Sequence, residues 1–228
     1  MSKSKRRRKS KSSLLRQLPK FDQRLAFAVI SAVVVVGVMV VARIWAATPA
    51  PLKAYSYGFA PYAYISWGGV NMTTYQTGSG AKNFVSAFIV STGGCTPAWD
   101  GDSTQGLTSS RSTTIQTDIN GVRAHGGDVA VSFGGDTGTK DTDIADTCTN
   151  VSSLQAAYQS VVSRYGLNTI DFDVEGITAS NSAGNARRAQ ALAGLQQANP
   201  NLHITLTIGA DVTGLSSTGL GLVNLFYR

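Results

Sequence analysis

Cysteine and histidine are scarce in this chain of 228 residues, with two of each. His125 and His203 stand apart in the sequence, and neither cysteine has a partner at CxxC spacing, so no metal site is predicted. The same scarcity argues against a Ser-His-Asp triad. The glycine-rich stretch 133–138 lacks both the GKS/T ending of a P-loop and a full GxGxxG, so no nucleotide cofactor is expected.

Charged residues are also few, at 14% of the chain, and they are unevenly distributed. Ten of the 20 Lys and Arg lie in residues 1–24 beside a single acid, Asp22, which leaves ten basic and twelve acidic residues and a net charge of −2 for the remainder. The basic run Lys3–Lys9 allows a nucleic-acid-binding arm. Because an apolar segment follows it almost directly, we favour the cytoplasmic flank of a membrane anchor and expect no nucleic-acid partner.

The segment Leu25–Ala42 is apolar over 18 residues, which as a helix spans roughly 27 Å and approaches the thickness of a bilayer core. Flanking residues through Trp45 complete the predicted span, and the positive charges place the preceding tail in the cytoplasm. The chain then divides into a basic cytoplasmic tail, a transmembrane signal-anchor, a linker and an extracellular domain: residues 1–24, 25–45, 46–56 and 57–228. A cleaved signal peptide is the alternative, and it would release the same domain as a secreted protein.

Export also bears on the two cysteines, Cys95 and Cys148. Each lies in a segment rich in Gly, Thr and Asp, and outside the cell an even pair of cysteines is more often bridged than free. We therefore predict a disulfide between them. In the chain-entropy model, closing a loop of about 50 residues contributes on the order of 4 kcal/mol to the free energy of unfolding.

After the linker, apolar runs of strand length alternate with segments of helical periodicity. The predicted strands are Tyr57–Tyr64, Asn83–Val90, Asp128–Phe133, Thr169–Val174 and His203–Ile208. The predicted helices are Ser112–Ala124, Ser152–Tyr165 and Ala183–Ala198, with a further helix opening at Ser216. This alternation predicts parallel βα units of an α/β fold, either as an open doubly wound sheet or as a (β/α)8 TIM barrel.

Three carboxylates alternate with apolar residues in Ile-Asp-Phe-Asp-Val-Glu-Gly, residues 170–176. Because a strand has a side-chain period of two, Asp171, Asp173 and Glu175 share one face at a spacing of roughly 6–7 Å. Carboxylates that close in a low dielectric do not all ionise cheaply, so one tends to keep a proton, as cleavage of a glycosidic bond requires. Inside a barrel they would line the C-terminal mouth, where stability alone would favour apolar side chains. The acids therefore favour the barrel over the open sheet.

Other acidic and basic residues have simpler interpretations. The Asp-x-Asp-x-Glu-Gly pattern imitates the start of a calcium loop, although Ser182 stands where such a loop has its bidentate Glu. A second acidic group, Asp141, Asp143 and Asp146, is predicted to lie in a solvated rim loop. Arg187–Arg188 is predicted to occupy the polar face of its helix.

Two motifs on successive strands carry a family resemblance. Asp171-Phe-Asp-Val-Glu175 resembles the catalytic DxDxE core of family 18 glycoside hydrolases, the chitinase family. Ser132-Phe-Gly-Gly135, at the end of the preceding strand, matches the SxGG motif of that family. Ala60-Pro-Tyr62 and the phrase from Phe88 to Pro97 fit the same pattern, so the resemblance covers most of the exported part.

The resemblance implies a reaction as well as a fold. It implies retaining, substrate-assisted cleavage of β-1,4-linked N-acetylglucosamine polymers such as chitin, without a cofactor. Glu175 would be the general acid. Asp173 would hold the acetamido N–H of the substrate and stabilise an oxazolinium ion, and Asp171 would share a proton with Asp173.

Supporting residues follow from the same resemblance. Ser132, Gly134 and Gly135 would let the third predicted strand pack closely beside the acids. The aromatic residues that could stack against sugar faces are Tyr62, Trp67 and Trp99.

The chain departs from the family pattern in two respects. Asn168 stands where the motif often has another Asp. The exported part has room for about five of eight βα units, and the family's Met-x-Tyr segment and late Trp have no counterpart. We therefore expect a partial barrel that is incomplete at its C-terminal end. The alternative to an enzyme is a catalytically inactive fragment or a surface carbohydrate-binding protein.

Overall fold

The computed structural model describes residues 58–65, 69–136 and 142–226. The strands are β1 (Tyr62–Tyr64), β2 (Asn83–Ser91), β3 (Pro97–Trp99), β4 (Asp128–Gly134), β5 (Thr169–Val174), β6 (His203–Ile208), β7 (Ala210–Asp211) and β8 (Gly214–Leu215). The helices are α1 (Met72–Ser79), α2 (Ser110–Ala124), α3 (Ile144–Thr147), α4 (Val151–Tyr165), α5 (Gly176–Ser180), α6 (Ser182–Ala198) and α7 (Ser217–Phe226). A short 3-10 helix spans Ser103–Gln105.

The predicted transmembrane segment, residues 25–45, lies outside the described residues, as do the predicted tail and linker. Within the described ranges, no helix combines the length and the apolar character that crossing a bilayer demands. The anchor therefore stays a prediction from the sequence.

Five parallel strands form the main sheet in the order β1-β2-β4-β5-β6, and β3 pairs antiparallel with β2. Apart from the β3 excursion, sequence neighbours are spatial neighbours, whereas a doubly wound sheet reverses its order at a switch point. The sheet also curls, because the Tyr62 hydroxyl on β1 lies 2.8 Å from Thr207 Oγ1 on β6. The fold is therefore a barrel-type α/β sheet. Across the described ranges β1 and β6 do not pair, so the barrel is not closed.

Four predicted strands and the three long helices are found within about two residues of their expected bounds, whereas the first predicted strand, Tyr57–Tyr64, is found only as Tyr62–Tyr64, and Tyr57 lies outside the described residues. Helix α4 illustrates why: the Asn150 side chain accepts a hydrogen bond from Ser153 N, and Gly166 ends the helix in the left-handed conformation at φ 57°. Between these caps an apolar stripe faces the sheet, as the helical spacing predicts.

The outer face of the sheet packs against the helices through aromatic rings. Phe133 on β4 and Phe172 on β5 stack at a centroid distance of 4.9 Å. Tyr158 of α4 meets both rings edge-on, at 5.1 and 5.0 Å. Since all three side chains are buried, this cluster forms the centre of the core and orients β5 relative to α4.

Trp99 was expected among the residues that stack on sugar, and the structure contradicts this. Its side chain is fully buried and its indole N–H donates to the Tyr165 hydroxyl at 2.7 Å. A buried indole that needs a hydrogen-bond partner finds one on α4, so Trp99 belongs to the core. Trp67, the other tryptophan proposed for stacking, lies outside the described residues.

The prediction that Arg187 and Arg188 lie on the polar face of α6 is wrong for Arg188. Arg188 is fully buried and forms a 2.7 Å ion pair with Asp143, which is itself buried. A charge so deeply buried persists only when it is paired. Asp143 is therefore an internal ion-pair partner, not part of a solvated loop, whereas Arg187 binds the Ala145 carbonyl at 2.8 Å.

The predicted disulfide is confirmed. Cys95, in the loop after β2, is bonded to Cys148, which follows α3. Close to it, the Thr147 hydroxyl donates to the Gly94 carbonyl at 2.7 Å. The bridge therefore fixes α3 against the loop at the C-terminal end of β2.

Candidate active site

The inner face of the curled sheet carries the predicted acids. In the β4–β5–β6 register Asp171 is paired with Ser132 and Thr205, and Asp173 with Gly134 and Thr207. Register partners in a parallel sheet point to the same side. The alternation predicted from the sequence therefore holds, with Asp171 and Asp173 facing inward and Phe172 facing the helices.

Asp171 is the most heavily hydrogen-bonded of these carboxylates. It is buried and accepts hydrogen bonds from four hydroxyl groups: Tyr62 at 2.8 Å, Ser132 at 2.8 Å, Thr205 at 2.7 Å and Thr207 at 3.2 Å. Such donors compensate the cost of burying a carboxylate. Burial raises the pKa of the Tyr62 phenol, and the Asp171 charge raises it further, so Tyr62 remains a donor.

Asp173 holds a proton into the neutral range. Burial, then the charges of Glu175 and Asp171, and a side-chain hydrogen bond with Glu175 raise the pKa of Asp173 to about 7. The sequence predicted a proton shared between Asp171 and Asp173. That shared proton stays a prediction: Asp171, surrounded by hydroxyls, raises the pKa of Asp173 through its charge, and Glu175 raises it through its charge and a side-chain hydrogen bond.

Glu175 stands directly after β5, at the N-terminal boundary of α5. Its backbone is extended and its side chain makes no capping hydrogen bond to the helix. Gly176 follows at φ 56°, a left-handed conformation that turns the chain from the strand into the helix. The half-buried Glu175 carboxyl is therefore free of its own helix and directed to Asp173.

The two glycines of the Ser-Phe-Gly-Gly motif allow close packing beside the acids. A Cβ atom on Gly134 would lie 2.3 Å from the Asp173 carbonyl oxygen, and one on Gly135 would lie 2.9 Å from the Phe88 ring. Gly135 N also donates to the Asp173 carbonyl at 3.0 Å. Neither position leaves room for a Cβ atom, and the supporting role of the two glycines at the site stays a prediction. Ser132 does more than predicted, because its hydroxyl donates directly to Asp171.

A cleft of about 560 Å³ begins at Gly134 and Gly135 and extends over the ends of β1 and β2. Its other lining residues are Tyr64, Phe88, Val90, Asp100, Asp136 and Thr142. The Phe88 ring packs against Tyr62 at a centroid distance of 5.9 Å. The cleft therefore combines aromatic and polar lining residues next to the strand that carries the acids, a combination that is typical of small-molecule sites.

Sequence reasoning missed Thr205 and Thr207 as site residues. Strand β6 alternates Thr with Ile and Leu just as β5 alternates acids with apolar residues, and that pattern could have identified them. The calcium alternative required a loop at 171–175, whereas Asp171 and Asp173 lie within β5. In the part of the chain that is described, no three His, Cys, Asp or Glu side chains are grouped to hold a metal ion.

The raised pKa of Asp173 predicts a pH-dependent cost to stability. The folded state binds this proton more tightly than the unfolded state, so the stabilisation is present near pH 4 and is lost as pH rises through about 7. Because the adjacent cleft admits water, we expect a loss of about 1–2 kcal/mol between pH 5 and 8. Asp173→Asn cannot ionise, so its melting temperature relative to wild type should rise over that range. A constant difference between the two proteins would contradict the assignment.

Comparisons with known proteins agree with this geometry. No model of a protein family matches the chain. A probable bifunctional chitinase/lysozyme of Escherichia coli (strain K12) is 26% identical over 182 residues, which cover 76% of this chain and 19% of that protein. Endochitinase 11 of Metarhizium anisopliae is 26% identical over 181 residues, 76% of this chain and 33% of that protein.

A solved structure extends the likeness to the fold. The catalytic domain of the hyperthermophilic chitinase from Pyrococcus furiosus is 26% identical and superposes with a TM-score of 0.61, over 74% of this chain and 52% of that one. The chain thus spans a fifth to a third of the curated relatives and about half of the solved domain. The resemblance predicted from the two motifs is confirmed: over the part of these proteins that it spans, the chain is a relative of the family 18 glycoside hydrolases, the chitinase family.

Proposed function

We propose that this protein hydrolyses β-1,4-linked N-acetylglucosamine polymers such as chitin. The observation that carries the proposal is that Asp171 and Asp173 project inward from β5 and Glu175 follows the strand directly, while burial and the charges of Glu175 and Asp171 raise the pKa of Asp173 to about 7. The names of the relatives, a chitinase/lysozyme and an endochitinase, support the same substrate class.

In the proposed reaction, Glu175 protonates the glycosidic oxygen and the bond from that oxygen to the anomeric carbon breaks. The carbonyl oxygen of the substrate's own acetamido group forms the new bond to the anomeric carbon, on the opposite face of the ring. Water, deprotonated by the Glu175 carboxylate, then opens the oxazolinium ion and returns the proton to Glu175. Two inversions give retained stereochemistry, and no cofactor takes part.

Asp173 and Asp171 have different proposed roles. Below about pH 7 the hydrogen-bonded pair of Asp173 and Glu175 holds a proton. We assign that proton to Glu175 when the acetamido N–H of the substrate hydrogen-bonds to Asp173. The Asp171 charge then stabilises the positive oxazolinium ion, and its four hydroxyl donors keep it in place.

Substitution of Glu175 tests this function. Glu175→Gln keeps the side-chain shape but removes the acid, so release of N-acetylglucosamine oligomers should fall by about 10³-fold or more. Binding of chito-oligosaccharides should persist. Asp102→Asn, which removes a carboxylate from the cap of the 3-10 helix, serves as the control and should leave turnover unchanged. Wild-type protein that binds the oligomers without cleaving them would instead support the carbohydrate-binding alternative.

We also propose that the domain acts outside the cell, attached by a single-pass anchor at 25–45, with residues 1–24 in the cytoplasm. The basic tail, the apolar segment and the Cys95–Cys148 disulfide, a bond typical of oxidising compartments, support this location. Protease added to intact cells should degrade the domain. After cell lysis, the protein should sediment with the membranes. A soluble extracellular form would indicate a cleaved signal peptide, and protection from protease would contradict export.

A further inference from the structure

Helix α5 begins immediately after Glu175 and has only five residues, Gly176–Ser180. A helix of this length is not stable by itself, because one turn fixes more backbone freedom than its hydrogen bonds repay. Its backbone is nevertheless coupled to the proposed acid, since Ala179 N donates to the Glu175 carbonyl at 3.2 Å. Whatever holds α5 therefore also fixes the direction in which Glu175 leaves β5.

The Asp146 carboxylate binds the middle of this helix and the residue that follows its C-terminal end. The Thr178 hydroxyl on α5 donates to one carboxylate oxygen at 2.9 Å. The Asn181 amide, between α5 and α6, donates to the other oxygen at 2.9 Å. Thr178 is the buried residue of α5, whereas Gly176 and Ile177 are exposed, so the tether lies on the side of the helix that faces the protein.

Asp146 is itself mounted on a rigid support. It lies in α3, whose N-terminal cap, Asp143, accepts from Ala145 N at 2.7 Å and forms the buried ion pair with Arg188. The Cys95–Cys148 disulfide fixes the other end of α3. Because α3 is fixed at both ends, the Asp146 carboxylate that it carries can determine the position of the five-residue helix α5.

We propose that Asp146 is a positioning residue for Glu175: by binding Thr178 and Asn181 it holds α5 and thereby keeps the Glu175 carboxyl against Asp173. The proposal rests on the proposed hydrolytic function. Gly176, in its left-handed conformation, is the pivot about which an untethered α5 would turn. Loss of the tether should therefore alter catalysis more than substrate binding, because the cleft residues of β1 and β2 do not depend on α5.

The chain offers a matched set of substitutions. Thr178→Val keeps the side-chain shape and removes the hydroxyl that Asp146 binds, whereas Thr178→Ser keeps the hydroxyl. Thr73→Val is the same chemical change at an equivalent contact, because the Thr73 hydroxyl donates to Asp118 at 2.7 Å and so ties α1 to α2. Helix α1 does not follow the strand that carries the acids.

The kinetic prediction concerns kcat. On chromogenic chitobioside, Thr178→Val should reduce kcat by about tenfold with KM changed less than threefold, because a small misplacement of a catalytic group slows the chemical step. Thr178→Ser and Thr73→Val should stay within about twofold of wild type. Asn181→Asp is a second variant, which keeps the cap on Gly184 N and turns a repelling carboxylate toward Asp146, and it should reproduce the loss.

A spectroscopic readout separates this proposal from the proposed function. Glu175 is the one glutamate in the sequence, so carboxyl-labelled glutamate reports on it directly by 13C NMR. In the wild type its resonance should show an inflection near pH 7 as the hydrogen-bonded Asp173 ionises. In Thr178→Val the inflection should weaken and move to lower pH, because Glu175 then contributes less to raising the pKa of Asp173. Thr73→Val should leave it unchanged.

The outcomes are distinct. If the wild type fails to hydrolyse chitobioside, the proposed function fails, and the NMR titration still decides whether Asp146 positions Glu175. The positioning role is overturned if Thr178→Val and Asn181→Asp both fold and both keep the wild-type inflection of the Glu175 resonance. Where turnover is measurable, they must also keep the wild-type kcat. Equal losses in Thr178→Val and Thr73→Val would also overturn it, because they would reflect general destabilisation.

Discussion

The burial of the Asp171 carboxylate is the constraint on which the rest of the structure depends. An ionised carboxylate in a protein interior costs several kcal/mol unless its oxygens receive hydrogen bonds. Here the donors come from three different strands: Tyr62 on β1, Ser132 on β4, and Thr205 and Thr207 on β6. Strands β1 and β6 are the two ends of the described sheet, so these bonds form only if the sheet curls. One buried charge thus connects the barrel-like curvature to the site.

The same arrangement gives the three acids different environments. Asp171 is surrounded by hydroxyl donors, whereas Asp173, two residues further along β5, has a raised pKa because of its burial and its charged neighbours. Glu175 lies directly after the strand and is only partly buried. Asp171 is buried among hydroxyl donors, whereas Glu175 is partly exposed. This difference in environment favours proton transfer at Glu175.

Much of this could be predicted from the sequence, because it depends on local periodicity. The alternation along 170–176 gave the face of Asp171 and Asp173, and the strand-helix order gave the parallel sheet. Contacts between distant segments could not be predicted. Trp99 and Arg188 look like surface residues in isolation, and their burial follows only from the tertiary partners Tyr165 and Asp143. Helix α1 was missed because its polar sequence has little helical periodicity, and Asp118, 45 residues away, holds its first turn.

The central claim is that the carboxyls of β5 face a pocket built for the acetamido group of an amino sugar. A crystal structure of the protein with the thiazoline analogue of the N-acetylglucosamine oxazolinium ion tests it most directly. The account predicts the thiazoline nitrogen within hydrogen-bond distance of the Asp173 carboxyl, with the Tyr62 and Ser132 hydroxyls still bound to Asp171. An analogue bound away from β5, or an Asp173 side chain directed out of the pocket, would contradict it.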